Sequence, residues 1–292
     1  MTLALNRAHL ALPVSLLLVL GCLLPLMLLV AFSLFTVDLD AFVMVPDLSL
    51  HSWGQMISNP VFALLIGKAV LSGLVTALLA AVLGYPIALA ISRLPIAWKG
   101  IAQIVLLTPL YTGEIVRIYA WRVVLGSEGL VNAVLKWLGL IDQPVKFLLF
   151  SPFTTHLVLL YDTLPFMVLP IWISTELIDR RLIEAARDLG ARPLDAFTRV
   201  IFPLTVPGLA VGLLAVFALA AGDMLTPSML GGTSGATPMT MIDNLFGTAF
   251  DWPLASALAL CLLIALFATA STMAWLLLRL KGARAVLQGS LK

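Results

Sequence analysis

From Ala69 to Ser92 the chain carries no ionisable side chain except Tyr85. As a helix this stretch rises about 36 Å, enough to cross a hydrocarbon core ~30 Å thick even when tilted. Lipid leaves no open backbone hydrogen bond tolerable, so such a segment has to be helical along its length. Five further stretches are long and nearly charge-free, and the six predicted spans are Leu10–Phe35, Ala63–Ser92, Ile101–Leu125, Phe150–Ile173, Leu204–Leu225 and Leu254–Leu278. The composition agrees: 61% of the 292 residues are hydrophobic and 11% charged, against about 25% charged in a soluble domain. A mean hydropathy of +1.09 leaves too little polar surface to coat a soluble globule, so lipid must be part of the solvent.

The expectation is therefore an all-α, polytopic membrane protein with six transmembrane helices. Arg7 precedes an apolar run too long for a signal peptide, which predicts an uncleaved first span. Prolines recur in or beside the spans, at Pro25, Pro86, Pro109, Pro165 and Pro170, where helical hydrogen bonding is expected to be interrupted. No linker divides the chain, which predicts one membrane domain over residues 1–292, with a polar loop at about 174–203.

Orientation follows the basic residues. With the N-terminus inside, the inner segments hold Arg7, Arg93, Lys99, Arg180, Arg181, Arg187, Arg192, Arg199, Arg279, Lys281, Arg284 and Lys292, twelve of the 17 lysines and arginines, as the positive-inside rule requires. The other side receives Asp38, Asp40, Asp47, Glu128, Asp142, Asp243 and Asp251, with Trp53, Trp137 and Trp252 suited to the interface. Both termini are expected in the cytoplasm of a cell whose inner membrane the chain spans.

Several functions are disfavoured. A net charge of +2 without a basic run gives no footing for nucleic acid. Cys22 and Cys261 lie in apolar runs without ligand spacing and read as small hydrophobes, and no metal site is expected. The three histidines, His9, His51 and His156, form no HExxH arrangement or local Ser-His pair, which counts against an enzyme. No phosphate-cradling G-x-x-x-x-G-K-[ST] loop occurs either. Gly67-Lys68 lacks its spacing, and Lys68 is expected to snorkel to the outer interface.

The sizeable polar stretch on the inner side, Ser174 to Ile201, reads as two short helices. Leu182, Ile183, Ala186 and Leu189 share one face, opposite Glu184, Arg187 and Asp188. Gly190 supplies a left-handed stop, and Pro193 opens the next turn. Periodicity alone leaves an amphipathic linker on the headgroups equally open. The specific string is Glu184-Ala185-Ala186, three residues, Gly190, nine residues, Val200, one residue, Phe202 and Pro203. It resembles the EAA loop of ABC importer permeases, with Val200 in place of isoleucine and Phe202 in place of leucine.

That resemblance implies the type I ABC importer permease fold, with this loop as the cytoplasmic coupling helix docking into an ATP-binding subunit. The coupling residues would be Glu184, Ala185, Ala186, Gly190 and Pro203. It also implies two ATP-binding subunits that hold ATP and Mg, so that this chain binds no cofactor and is not itself an enzyme. A second, homologous permease and a periplasmic substrate-binding protein complete the expected assembly.

Further strings resemble the permeases of spermidine/putrescine importers: Ile115 to Trp121, Gly129 to Asn132, Leu164 to Pro170, and Asp251-Trp252-Pro253. The implied cargo is a small cation of polyamine type, which needs carboxylates for its ammonium groups and aromatic faces beside them. Charged groups inside spans are costly and are functional candidates by default. Asp162 and Asp223 are the expected cation-facing groups. Glu114 is expected to pair with Arg117 one turn on. Arg117 and Arg122 would fix an outer gate. Tyr161 stands beside Asp162, while Tyr119 and Trp121, about 200° apart on a helix, either line the passage or meet lipid. Another ABC cargo, an amino-acid-like compound or a metal, and a secondary transporter are the alternatives; a neighbouring coding region for an ATP-binding protein would separate the last.

Overall fold

The computed structural model describes residues 7–38 and 43–279. Asp40, Lys281, Arg284 and Lys292, with the expected side of the C-terminus, lie outside the described residues. In chain order the elements are α1 (Arg7–Phe32), β1 (Thr36–Asp38), β2 (Val43–Val45), α2 (His51–Ser58), α3 (Pro60–Arg93), α4 (Ile96–Tyr111), α5 (Glu114–Leu125), α6 (Leu130–Trp137), α7 (Pro152–Glu176), α8 (Arg180–Asp188), α9 (Pro193–Ala196), α10 (Phe202–Ala221), α11 (Leu225–Leu230), α12 (Pro238–Phe246) and α13 (Trp252–Arg279). The chain is mostly helical. The all-α expectation is corrected by one antiparallel hairpin, in which Thr36 faces Val45 and Asp38 faces Val43. Its strands are three residues long, too short for alternation to reveal.

Among the described residues, four helical segments are long and apolar enough to cross a membrane: Pro60–Arg93, Lys146–Glu176, Pro193–Ala221 and Trp252–Leu277. They contain the second and fourth predicted spans, the fifth but for residues 222–225, and the sixth but for Leu278. The predicted third span is not one helix. It breaks between α4 and α5, and the two arms bend by 100°. Thr112 (φ −95°, ψ 130°) and Gly113 (φ −58°, ψ 137°) are extended there, after α4 has run on through Pro109 to Tyr111. Elsewhere each proline costs the ladder a donor without ending the helix: α3 continues through Pro86 and α7 through Pro165 and Pro170. In α1 the described apolar run, Val19–Phe32, is shorter than a full span.

Chain contacts divide the molecule into two units. One holds the residues up to Ile66 together with Pro238–Ile264. Its core gathers Phe62, Leu245, Leu254, Ala255 and Leu258, and the Trp252 ring meets those of Phe32 and Phe246 nearly edge-on at 6.1 and 5.5 Å. The Asp251 carboxylate caps α13 by accepting from the Leu254 N–H at 3.1 Å.

The other unit holds Gly67–Thr237 and the residues from Ala265 on. Here α3, α7 and α10 pack through small residues. Ala77, Ala80 and Ala88 are fully buried beside Met167, Val168, Ile171, Val216 and Phe217. A Cβ at Gly208 would fall 2.3 Å from the Pro170 carbonyl oxygen, and one at Gly212 would fall 2.8 Å from Met167 Sδ. With no hydrophobic force between helices in lipid, such close approach is what holds them. Away from this core α3 presents Leu78 and Val82, 61% and 69% exposed, a surface for hydrocarbon or another subunit to cover.

Candidate functional site

The Glu184-Ala185-Ala186 segment is built by its two ends. At the start of α8 the Asp179 carboxylate accepts from the Arg181 N–H at 2.9 Å. At the finish Gly190 adopts φ +81°, its N–H donates to Arg187 O at 2.8 Å, and the Ala191 N–H donates to Ala186 O at 3.0 Å. That is a Schellman stop, which favours glycine because the left-handed region penalises a Cβ. Pro193 then opens α9. The glycine stop and the proline start are both where the sequence puts them.

The faces of α8 are less simple than the periodicity suggests. Ile183 and Ala186 turn partly inward, whereas Leu182 is 50% and Leu189 89% exposed. With Glu184 and Ala185 also exposed, α8 presents a mixed surface that none of the other described residues covers. Behind it lies a polar cavity of about 420 Å³, lined in part by Arg93, Glu176, Glu184 and Arg187. Glu176 is held by an ion pair with Lys99 and by the Trp172 indole N–H at 3.0 Å.

Between α9 and α10 the helix widens to a π turn over Phe197–Ile201, with the Phe202 N–H reaching back to Phe197 O. Pro203 follows at once. It has no N–H, and its ring would crowd the carbonyl four residues back, so a wider turn relieves a regular one there. Tyr85 anchors the turn to α3. Its ring lies 5.6 Å from Phe197, nearly perpendicular, and 6.0 Å from Phe202, and its hydroxyl bonds that of Thr205.

A second site forms where α5, α7 and the end of α10 meet. A cavity of about 380 Å³ is lined by the charged side chains Glu114, Arg117, Asp162 and Asp223, and otherwise by apolar or small residues and Thr163. All four come from the predicted list, gathered from three parts of the sequence. Their pairing differs from expectation. Arg117 Nε lies 2.7 Å from Asp162 Oδ1, both largely buried, so Arg117 turns to Asp162 rather than to Glu114. Its Nη1 also donates to the carbonyls of Pro109 and, at 3.1 Å, Thr112. It thereby satisfies acceptors freed where α4 ends, a partner no i,i+3 rule anticipates.

Asp223 follows α10, and its two oxygens accept from the Thr226 N–H at 3.0 Å and the Thr226 hydroxyl at 2.9 Å. Both donors are neutral, so its charge is not cancelled by them. It also borders a neighbouring cavity of about 230 Å³ that reaches Lys68 and His156. The Lys68 ammonium donates to the carbonyls of Ser234 and Ala236, in the segment between the fifth and sixth predicted spans. His156 Nδ1 pairs with the Thr76 hydroxyl at 3.1 Å.

The aromatic candidates separate as helical geometry requires. Trp121 stacks edge-on against Tyr161 at 5.6 Å, while Tyr119, 53% exposed, lies under the Arg122 guanidinium at 5.6 Å, which also faces Phe150 at 5.4 Å. None of these four lines the charged cavity. Among the described residues no three His, Cys, Asp or Glu side chains gather closely enough to hold a metal ion. The sequence reading missed Tyr85 as the anchor of the π turn, and also Gly208-x-x-x-Gly212, although a G-x-x-x-G in an apolar run was there to be read.

The family described as "Binding-protein-dependent transport system inner membrane component" matches residues 69–281. Over 247 residues the chain is 34% identical to the spermidine/putrescine transport system permease protein PotB of Escherichia coli (strain K12), covering 85% of this chain and 89% of that one. It is 32% identical to the protein of the same name from Haemophilus influenzae, covering 83% and 84%. In structure it is similar to a bacterial ABC transporter involved in the import of the acidic polysaccharide alginate, with a TM-score of 0.76 at 17% identity, over 94% of this chain and 96% of that one.

Proposed function

Because this chain belongs to the family of inner membrane components of binding-protein-dependent transport systems, we propose that it forms half of the translocation pathway of an ATP-driven polyamine importer. The cargo is a small linear cation such as spermidine or putrescine. The observation that carries this reading is the charged cavity, where three carboxylates face a single guanidinium inside an otherwise apolar body. Such a site attracts cations and repels an anionic cargo such as the acidic polysaccharide imported by the structural relative. The names of the relatives point the same way.

In the mechanism a periplasmic binding protein delivers the amine to the outer side. A second, homologous permease completes the pore. Asp223 and Glu114 receive the ammonium groups, Asp162 adds its charge while paired with Arg117, and the Trp121–Tyr161 pair flanks the approach. Two ATP-binding subunits on the cytoplasmic side bind ATP and Mg, and their closure moves α8. Glu184 and the apolar Leu182 and Leu189 supply the docking contact, Ala185 and Ala186 permit close approach, and Gly190 ends the helix at the turn. Pro203 sets the π turn that carries the movement into α10. The whole chain acts as one permease domain with six spans, the bent α4–α5 pair serving as the third and both termini cytoplasmic.

The test is uptake of labelled spermidine and putrescine by the reconstituted assembly. Asp162→Asn and Asp223→Asn each reduce uptake sharply while insertion and assembly persist. Wild-type uptake by both variants would sink the cation-path reading.

A further inference from the structure

We propose that Arg117 is a specificity-determining residue that acts as a tethered cation, occupying one of three carboxylate positions in the pathway and limiting how much charge a cargo brings into this half of it. This rests on the polyamine reading above. Arg117 lies 2.7 Å from Asp162 and is largely buried with it. Glu114 and Asp223 line the same cavity. Among the described residues Asp223 accepts from the neutral donors of Thr226. Three carboxylates and one guanidinium leave two negative charges uncompensated, the complement of a diamine.

The guanidinium is also fixed from behind. The carbonyls of Pro109 and Thr112 accept from it at the end of α4, so it cannot swing away freely as a flexible lysine would, and a cargo ammonium cannot simply take its place at Asp162. A triamine therefore meets one fewer free carboxylate than the sequence count suggests. The wall of the pore contributed by the second permease is the same for every variant of this chain, so changes in this charge balance are read directly as changes in preference.

The experiment uses the complete importer in liposomes, with the binding protein loaded separately with putrescine or spermidine so that capture is not the variable. The readout is the ratio of spermidine to putrescine transport. Arg117→Gln leaves three free negative charges and raises the ratio roughly tenfold, the effect of one added charge about 10 Å away at an effective dielectric near 20. Asp162→Asn leaves one and lowers it. The double variant Arg117→Gln/Asp162→Asn again leaves two, and the ratio returns to the wild-type value. A residue that mattered only for holding α4 to α5 would leave the double variant as altered as Arg117→Gln.

An unchanged ratio in Arg117→Gln, or a double variant that does not return, overturns the proposal. If Arg117→Gln fails to assemble, the decision passes to Asp162→Asn and the double variant: a lowered and a restored ratio support it, and two unchanged ratios overturn it. Wild-type assemblies that move neither amine would overturn the cargo reading as well, whereas amine transport with fixed ratios overturns this inference alone.

Discussion

Replacing Gly190 with alanine separates the backbone geometry of the α8 stop from side-chain effects. Gly190 sits at φ +81°, and nothing lies within 4 Å of where a Cβ would stand, so no clash accompanies the change. What remains is the penalty for a left-handed L-residue, about 1–2 kcal/mol. Asparagine visits this region more readily and is expected to recover much of the loss. Proline fixes φ near −65° and removes the N–H that donates to Arg187 O, so it destroys the stop. If docking of the ATP-binding subunit requires the stop to be formed, a cost of ~1.4 kcal/mol weakens association about tenfold. The assay is binding of that subunit to the permease in nanodiscs, together with ATP hydrolysis stimulated by loaded binding protein. Both measures should fall in the order glycine, asparagine, alanine, proline. Alanine equal to glycine, or a tolerated proline, would refute the role given to this turn.

Other substitutions test other links. Gly208→Ala forces a Cβ to 2.3 Å from the Pro170 carbonyl and should cost about 1–3 kcal/mol by overpacking, read as a lower Tm in detergent. Gly67→Ala, with open space around it, should leave Tm unchanged or raise it slightly. Tyr85→Phe keeps the ring against Phe197 and loses only the bond to the Thr205 hydroxyl, a loss of about 1 kcal/mol that preserves coupled uptake. Tyr85→Ala removes the anchor of the π turn, and ATP hydrolysis should then proceed with little transport. Glu184→Lys reverses the charge on the exposed face of α8 and should abolish ATP-driven uptake while leaving the permease folded, as judged by an unchanged Tm.

The features legible in the sequence are those set by local rules. Length and hydropathy locate α3, α7, α10 and α13 because lipid admits no other backbone there. The end of α8 is legible because a glycine stop followed by a proline start is local chemistry. The break after α4 is not, because Pro109 looks no different in sequence from Pro86, Pro165 or Pro170, across which the helices continue. Its cause is the extended pair Thr112-Gly113, held by a guanidinium that also reaches a different helix. For the same reason the residue types of the charged cavity were identifiable and their pairing was not. Spacing along one helix favoured Glu114 with Arg117, and tertiary packing brought Asp162 closer. The apolar residues of the coupling segment follow helical periodicity, but that Ile183 and Ala186 turn partly inward while Leu182 and Leu189 stay exposed depends on neighbours the sequence does not order.

ATP-driven polyamine import is tested most directly by transport of labelled spermidine and putrescine into liposomes holding this chain, its partner permease and the ATP-binding subunits, with loaded binding protein outside and ATP inside. Accumulation is expected to require both ATP and the binding protein and to stop in Glu184→Lys. Accumulation driven by an ion gradient without ATP, or ATP-driven transport of other solutes with neither amine moved, would contradict it.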